Sequence, residues 1–409
     1  MKCKRRSMAN NSTADSHSLR DDIVKDILSR LPIKSIKRFE SVSKGWYFLF
    51  NSHEFISTHL RTSSLRPFLL VRQFHNPTGS KFSLCLIDGN TSYEIRIPFL
   101  GCLYRFPKIV GSCNGLICLD ISPCYAFGFV LWNITTKQYK FLPRPRINDA
   151  HKPIWMVATG FGYNRRDNDY KLVRIVNFHC KDDDSPAVIA EVYSWRTGSW
   201  KLMGGNVVEE NFGYCVIHEG QQAVSINGSL NWLANGIGKL ANEKFIVSFD
   251  MVSEEFRRIE IPDYGLSGIC AKILEFKESL ALAMYSALPV YPGYARPINR
   301  FDLWVFNDGE DYGADGHGVS VNKKCWSRIH GMEFSSSGVS TPIGVYNNSE
   351  LLVKRVEAHG VTLSFFDLYN LSIKHMPFCG PDYTCEFSSY VNSLVPVSNP
   401  GYDVVEVQD

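Results

Sequence analysis

The sequence predicts a mainly β protein, with a small N-terminal α-helical domain followed by a β-propeller of six blades. Two observations predict this fold class. Residues 19–60 carry a helical periodicity that does not return later in the 409-residue chain. From residue 67 onward, strand-like segments recur in units of about 45–60 residues, as in repeated antiparallel sheets. A stacked pair of β-sandwiches is the structural alternative.

The first helix is predicted from apolar residues at helical spacing. Ile23, Ile27 and Leu31 recur at intervals of four, which places them on one apolar face. Ser18 is a good N-cap residue for this helix. Pro32 ends it and suits the first position of the next helix.

Two further helical segments complete the predicted three-helix module. Ile36 and Phe39 continue the apolar edge, and Ser41 or Ser43 caps a third helix that contains Trp46. Domains of about 40 residues rarely bury enough surface to be stable alone. We interpret the segment as a module that completes its buried surface on another protein, the alternative being a helical cap packed on the next domain.

The β region is predicted from repeated hairpin signals. Asn114 and Gly115 lie between two apolar strands, which is a strong hairpin signal. Residues 68–100 are assigned to the first blade, and the late strand 388–395 is predicted to complete it and close the ring. Closure would leave no free inner sheet edge.

Composition excludes several classes of partner. The net charge of +3 is too small to indicate nucleic acid or an anionic membrane. No apolar run approaches the length of a membrane span, and the polar first 18 residues lack the apolar region of a signal peptide. We therefore expect a cytoplasmic and/or nuclear protein with reduced cysteines.

No catalytic, cofactor or metal site is predicted. The 12 cysteines include no C-x-x-C pair, and common nucleotide-binding, hydrolase and metalloprotease motifs are missing. The acidic stretch 308–318 does not have the spacing of an EF-hand loop. A metal-dependent enzyme is the weakest alternative.

The helical segment resembles the F-box. The resemblance rests on the following residues: Ile27, Leu28, Arg30, Leu31, Pro32, Lys34, Ser35, Arg38, Phe39, Val42, Ser43, Lys44, Trp46, Ser52, Phe55, His59 and Leu60. One departure is Arg20, where the family usually has proline after the leucine at the start.

The remainder resembles the F-box-associated, kelch-like domain of plant F-box proteins, including the S-locus F-box-like type. The shared phrases are 111–117, 131–133, 160–163, 169–171, 193–195, 230–233, 248–250 and 303–305. The resemblance implies the following domains: a disordered tail (1–18), an F-box (19–60), a linker (61–66), an F-box-associated propeller (67–397) and a second tail (398–409).

The resemblance also implies a function. The chain would be a non-catalytic substrate receptor of an SCF-type ubiquitin ligase that binds a Skp1-like adaptor, through it a cullin, and an unknown target protein. An F-box scaffold acting outside degradation is the alternative. The expected adaptor-binding residues are Leu19, Ile23, Ile27, Leu28, Leu31, Pro32, Ile33, Ile36, Phe39, Val42 and Trp46. The basic residues Lys34, Lys37, Arg38 and Lys44 would face an acidic adaptor surface.

Overall fold

The structure is a computed structural model that describes most of the chain in segments. These are residues 20–65, 67–74, 82–88, 91–99, 107–122, 128–147, 154–178, 188–204, 215–217, 222–237, 243–262, 269–286, 299–307, 325–334, 339–346, 349–357, 360–370, 372–380, 386–398 and 405–406. The predicted tail 1–18 and Leu19 lie outside the described residues, as does the acidic stretch 308–318.

The helical module has four helices. They are α1 (Asp21–Ser29), α2 (Ile33–Phe39), α3 (Lys44–Phe50) and α4 (His53–Ser64). Ser43 caps α3 as predicted, because its hydroxyl accepts a hydrogen bond from the backbone N–H of Trp46. Helix α1 begins at Asp21 after Arg20, whose side chain makes no capping bond.

Helix α4 corrects the predicted linker. It runs through residues 61–64, where Ser64 Oγ donates to the Leu60 carbonyl at 2.8 Å, so this hydroxyl is satisfied within the helix. The helix stops shortly before Pro67, since a proline disfavours helical backbone at the residue that precedes it.

The strands form six antiparallel sheets, which we number as blades 1 to 6. Blade 1 contains β1 (Phe68–Phe74), β2 (Phe82–Asp88), β3 (Thr91–Ile95) and β25 (Glu386–Tyr390); blade 2 contains β4 (Lys108–Cys113), β5 (Leu116–Asp120), β6 (Phe129–Asn133), β7 (Gln138–Phe141) and β26 (Val405–Glu406); blade 3 contains β8 (Ile154–Asn164), β9 (Asp169–Phe178), β10 (Val188–Ser194) and β11 (Ser199–Leu202); blade 4 contains β12 (Cys215–Val216), β13 (Val224–Ile226), β14 (Ser229–Gly236), β15 (Lys244–Asp250) and β16 (Glu255–Glu260); blade 5 contains β17 (Ile269–Phe276), β18 (Ser279–Ser286), β19 (Asn299–Asn307) and β20 (Cys325–Phe334); blade 6 contains β21 (Val339–Tyr346), β22 (Glu350–Glu357), β23 (Gly360–Asp367) and β24 (Ile373–Gly380).

The sheets close into a six-bladed propeller, which confirms the predicted fold and excludes the sandwich pair. The inner strands contact one another in a complete ring in the order β4, β8, β13, β17, β21 and β25. Strand β25 pairs with β1, so a late strand closes the ring as predicted, although it spans 386–390 rather than 388–395. An ion pair between Arg72 and Glu386 fastens this join, and Glu386 also accepts a bond from the Ile109 N–H at 3.2 Å.

Apolar side chains fill the space between every two neighbouring blades. This arrangement follows from the sequence, because the middle strands of a blade are covered on both faces and carry apolar runs, as in β5 and β6, which are buried almost throughout. The predicted hairpin turn at Asn114 and Gly115 is present, with φ angles of 51° and 79° that suit these two residue types.

Strand β26 corrects the predicted C-terminal tail. Val405 pairs with Tyr139 and Glu406 with Gln138, so the segment extends the outer edge of blade 2. The outer strand of a blade has unpaired backbone N–H and C=O groups, and another segment of the chain can form hydrogen bonds with them. Ser398, at the start of the predicted tail, is also buried.

Candidate functional site

The helical module has its own aromatic core. Trp46 contacts Phe39 and Phe50 edge-on, with ring centroids 5.5 and 5.7 Å apart. Phe50 in turn contacts Phe55 at 5.1 Å. These rings bring α2, α3 and α4 together, and they leave other apolar side chains of the module outside the core.

The structure separates the expected adaptor-binding residues into three groups. Leu28, Ile33 and Ile36 are buried within the module. The partly buried residues are Leu31, Phe39 and Trp46. The exposed residues are Ile23, Ile27, Pro32 and Val42. Helical periodicity identified the apolar residues correctly, but it could not tell which of them the module itself covers.

Two exposed residues were missed by the sequence analysis. Tyr47 and Phe48 on α3 are 51% and 70% exposed. They fall outside the stripe of Trp46 and Phe50 that faces the core, and this offset on the helix was the signal that could have identified them. With Ile23, Ile27 and Val42 they form what we call the exposed apolar set.

The exposed apolar set is concentrated in a small part of the chain. Of the 14 large apolar residues exposed in the part of the chain that the structure describes, six lie between residues 20 and 65. Exposed apolar surface is costly in water and commonly marks an interaction site. The helical module is therefore the strongest candidate binding surface.

Basic side chains accompany the exposed apolar set. Lys34, Arg38 and Lys44 are exposed on α2 and α3. Lys37 instead forms an ion pair with Glu40 at 2.7 Å. Exposed cations on the same helices as exposed apolar residues favour a partner that carries acidic residues and increase its rate of association.

His59 holds α4 against the loop that follows α1. Its Nε2 donates to the Leu31 carbonyl at 3.1 Å, and Ser63 Oγ lies 3.3 Å from its Nδ1. Burial lowers the pKa of His59 below its ordinary value of 6.5, although the bond to Leu31 acts in the opposite direction. The imidazole is therefore neutral in the folded module at neutral pH.

The helical module is expected to lose stability as the pH falls below about 6.5. Because the folded pKa of His59 is lowered, the unfolded chain takes up this proton at a higher pH than the folded chain does. Urea unfolding followed by far-ultraviolet circular dichroism at about pH 7 and about pH 5 measures the loss. A His59→Gln variant does not titrate here and should lose less stability over this range; an equal loss in both proteins contradicts the prediction.

Residues that could support covalent or metal chemistry were also located. No group of three or more His, Cys, Asp or Glu residues able to hold a metal ion occurs in the segments that the structure describes. Burial raises the pKa of Cys113 to about 12 and that of Cys215 to about 11. Both thiols are therefore protonated and weakly nucleophilic at neutral pH.

None of the helices in the described segments is long and apolar enough to span a membrane.

A polar cavity of about 270 Å³ lies between blades 4 and 5. Its lining includes Asn231 and Arg257 from blade 4 and Ser279 and Phe306 from blade 5. The volume is slightly below that of typical small-molecule sites, and it suits one or two side chains of a bound protein. Sequence spacing does not group these residues, because they are far apart in the chain.

Two family profiles match the chain. The profile of the "F-box domain" matches residues 18–58, and that of the "F-box associated beta propeller domain" matches residues 100–282. These ranges coincide with the helical module and with part of the propeller. The chain therefore contains an F-box domain followed by an F-box-associated propeller domain.

Relatives of this F-box chain occur in Arabidopsis thaliana. An F-box/kelch-repeat protein is 27% identical over 60% of this chain and 66% of its own length. A protein named "Putative F-box only protein 9" is 21% identical over 92% of this chain and 94% of its own length. Among solved structures, TolB from Acinetobacter baumannii superimposes with a TM-score of 0.41 over 82% of this chain and 73% of that chain, at 10% identity.

Proposed function

We propose that this chain is the substrate-recognition subunit of an SCF-type ubiquitin ligase. Its F-box binds a Skp1-like adaptor, which connects it to a cullin, and its propeller holds a target protein. The observation that carries this proposal is the exposed apolar set on a small module whose apolar core is already filled in the full chain. Such side chains are stabilised when a partner covers them.

The proposed role requires no bond chemistry from this chain. A receptor that binds the adaptor and the target together holds a lysine of the target near the charged conjugating enzyme. The second encounter then becomes intramolecular, and its effective concentration rises.

The propeller supplies the surface for the target. The cavity between blades 4 and 5 is our candidate for one contact, since it combines the polar groups of Asn231 and Ser279 with the apolar ring of Phe306. A few polar groups placed in a partly apolar site orient a bound side chain.

An Ile27→Asp, Phe48→Asp double variant is expected to bind a purified Skp1-like adaptor at least about 100-fold more weakly, because two carboxylates would be buried without partners. Both residues are exposed, so the variant should remain folded. Isothermal titration calorimetry measures the affinity.

Leu202→Asp is the matched control for this experiment. Leu202 lies on β11 in blade 3 and is 47% exposed, against 49% for Ile27. Its affinity for the adaptor should equal that of the unmodified chain. A folded double variant that also retains full affinity would refute the proposed adaptor surface. The sequence alone favours changes at Leu31 and Ile36 instead, but Ile36 is fully buried and an aspartate there would unfold the module.

Ubiquitin transfer tests the ligase role separately. Targets captured by the propeller should be ubiquitinated in a reconstituted reaction that contains the adaptor, the cullin and a conjugating enzyme. The Ile27→Asp, Phe48→Asp variant should capture the same targets without supporting transfer. Capture with no transfer by the unmodified chain would favour a scaffold outside degradation.

A further inference from the structure

The F-box core contains a residue from the far end of the chain. Leu394 is buried in the same apolar cluster as Leu28, Ile36 and Phe50 of the helices. It belongs to residues 391–398, which we call the closing segment because it directly follows β25, the strand that closes the propeller ring. The F-box is therefore completed by a part of the propeller domain.

A side chain of the helical module also contacts the propeller. Ile56 on α4 packs against the F-box core and also against the apolar cluster between blades 2 and 3. That cluster includes Val395 and Val397 of the closing segment. Within the closing segment, Leu394 therefore packs into the F-box core, whereas Val395 and Val397 pack into the propeller.

The closing segment is held firmly on blades 2 and 3. The side-chain amide of Asn133, which is fully buried, donates to the carbonyls of Ser393 and Val395 at 3.0 and 2.8 Å. The indole of Trp195 donates to the carbonyl of Val397 at 3.0 Å. Buried bonds of this kind are costly to break without replacement.

Close packing fixes the position of the closing segment further. Gly115 in the first turn of blade 2 lies beneath it with φ at +79°. A Cβ atom at Gly115 would lie 2.2 Å from Cβ of Ser393 and 2.6 Å from the Val391 carbonyl. The turn therefore needs glycine for its backbone conformation and also for the space that the closing segment occupies.

We infer that closure of the propeller ring and formation of the F-box core are coupled through the closing segment. Only a few residues separate β25 from Leu394, so the position of Leu394 depends on the pairing of β25 with β1. A module of this size is marginally stable alone, and loss of one core leucine therefore shifts its folding equilibrium appreciably. The F-box reaches its binding-competent form only when the propeller is complete.

The consequence for adaptor binding rests on the function proposed above, whereas the coupling itself does not. A chain whose propeller has not closed would present an F-box with an incomplete core and bind the adaptor weakly. Coupling of this kind makes adaptor binding dependent on a finished target-binding domain.

Hydrogen exchange of the full-length chain tests the coupling without the adaptor. Leu394→Ala should accelerate amide exchange in α1 to α4 by about tenfold or more, while exchange in β14 and β15 of blade 4 changes by less than about twofold. Leu282→Ala in blade 5 is the matched control, since Leu282 is also buried but lies in the cluster between blades 4 and 5. It should accelerate exchange in blade 5 and leave the helices unchanged.

Asn133→Ala provides an independent route to the same result. Asn133 lies in β6 and anchors the closing segment, so faster exchange in the helices would reach them through that segment. If Leu394→Ala does not fold, the smaller change Leu394→Val should produce a weaker acceleration in the same helices. Unchanged exchange in the helices of both the Leu394 and Asn133 variants overturns the inference.

The adaptor provides the second measurement. Leu394→Ala should weaken binding of a Skp1-like adaptor by about tenfold, and Leu282→Ala should not. If the unmodified chain does not bind the adaptor, the proposed function fails while the exchange result still decides the coupling. If the helices exchange faster in Leu394→Ala but adaptor affinity is unchanged, the link to adaptor binding is refuted.

Discussion

A Glu191→Ala variant is expected to lose about 3–5 kcal/mol of unfolding free energy. The carboxylate of Glu191 lies in blade 3, is fully buried, and forms an ion pair with Arg174 at 2.6 Å. It also accepts hydrogen bonds from the backbone N–H groups of Arg146 and Ile147, at 2.8 and 3.2 Å. Removing it leaves a nearly buried guanidinium without its counter-ion and two backbone donors without acceptors.

Urea unfolding measures this loss, and two controls separate its causes. Asp26→Ala breaks an exposed ion pair with Arg30 on α1 and should cost less than about 1 kcal/mol. A double variant, Glu191→Leu with Arg174→Met, should be more stable than Glu191→Ala, since neither charge is then left buried alone. A Glu191→Ala cost as small as that of Asp26→Ala would show that the buried pair contributes little.

A Trp232→Ala variant is expected to lose a similar amount, about 3–5 kcal/mol. Trp232 in blade 4 is fully buried, and its indole N–H donates to the Thr159 carbonyl of blade 3 at 3.0 Å. A Cβ at Gly160 would lie 2.6 Å from the indole ring, so the neighbouring strand is shaped to admit it. Truncation would open a cavity between the blades and remove a bond that joins them.

Trp232→Phe separates packing from hydrogen bonding. Phenylalanine keeps an aromatic ring in the site but cannot donate to Thr159, so its cost should be about 1–3 kcal/mol. Calorimetric unfolding and urea titration measure both variants. Trp232→Ala within about 1 kcal/mol of the unmodified chain would show that blades 3 and 4 relax to fill the space.

The propeller could be predicted well from the sequence because its signals are local. The hairpin at Asn114 and Gly115 requires only two adjacent residues that tolerate a left-handed backbone. The pairing of β25 with β1 was also predicted, since a ring of repeated sheets needs a final strand to cover its last free edge. The helix through residues 61–64 was missed because serine and threonine are weak helix formers when judged alone.

The F-box surface could be predicted only in part. Periodicity showed that Ile27 and Ile36 are apolar positions of short helices, and the structure then places one outside and the other inside. Phe48 was missed because a helix of seven residues allows its apolar side to be drawn in more than one way. Burial depends on what the neighbouring helices cover, and that information is not local.

The order of the domains, the repeated β pattern, the F-box and its apolar character follow from the sequence alone. Each of these depends on residues close together in the chain, where spacing and turn chemistry act directly. Only the tertiary structure decided which apolar residues remain exposed, and only it placed Leu394 in the F-box core beside Leu28. Contacts between such distant residues depend on the closure of the whole ring, which short-range patterns do not encode.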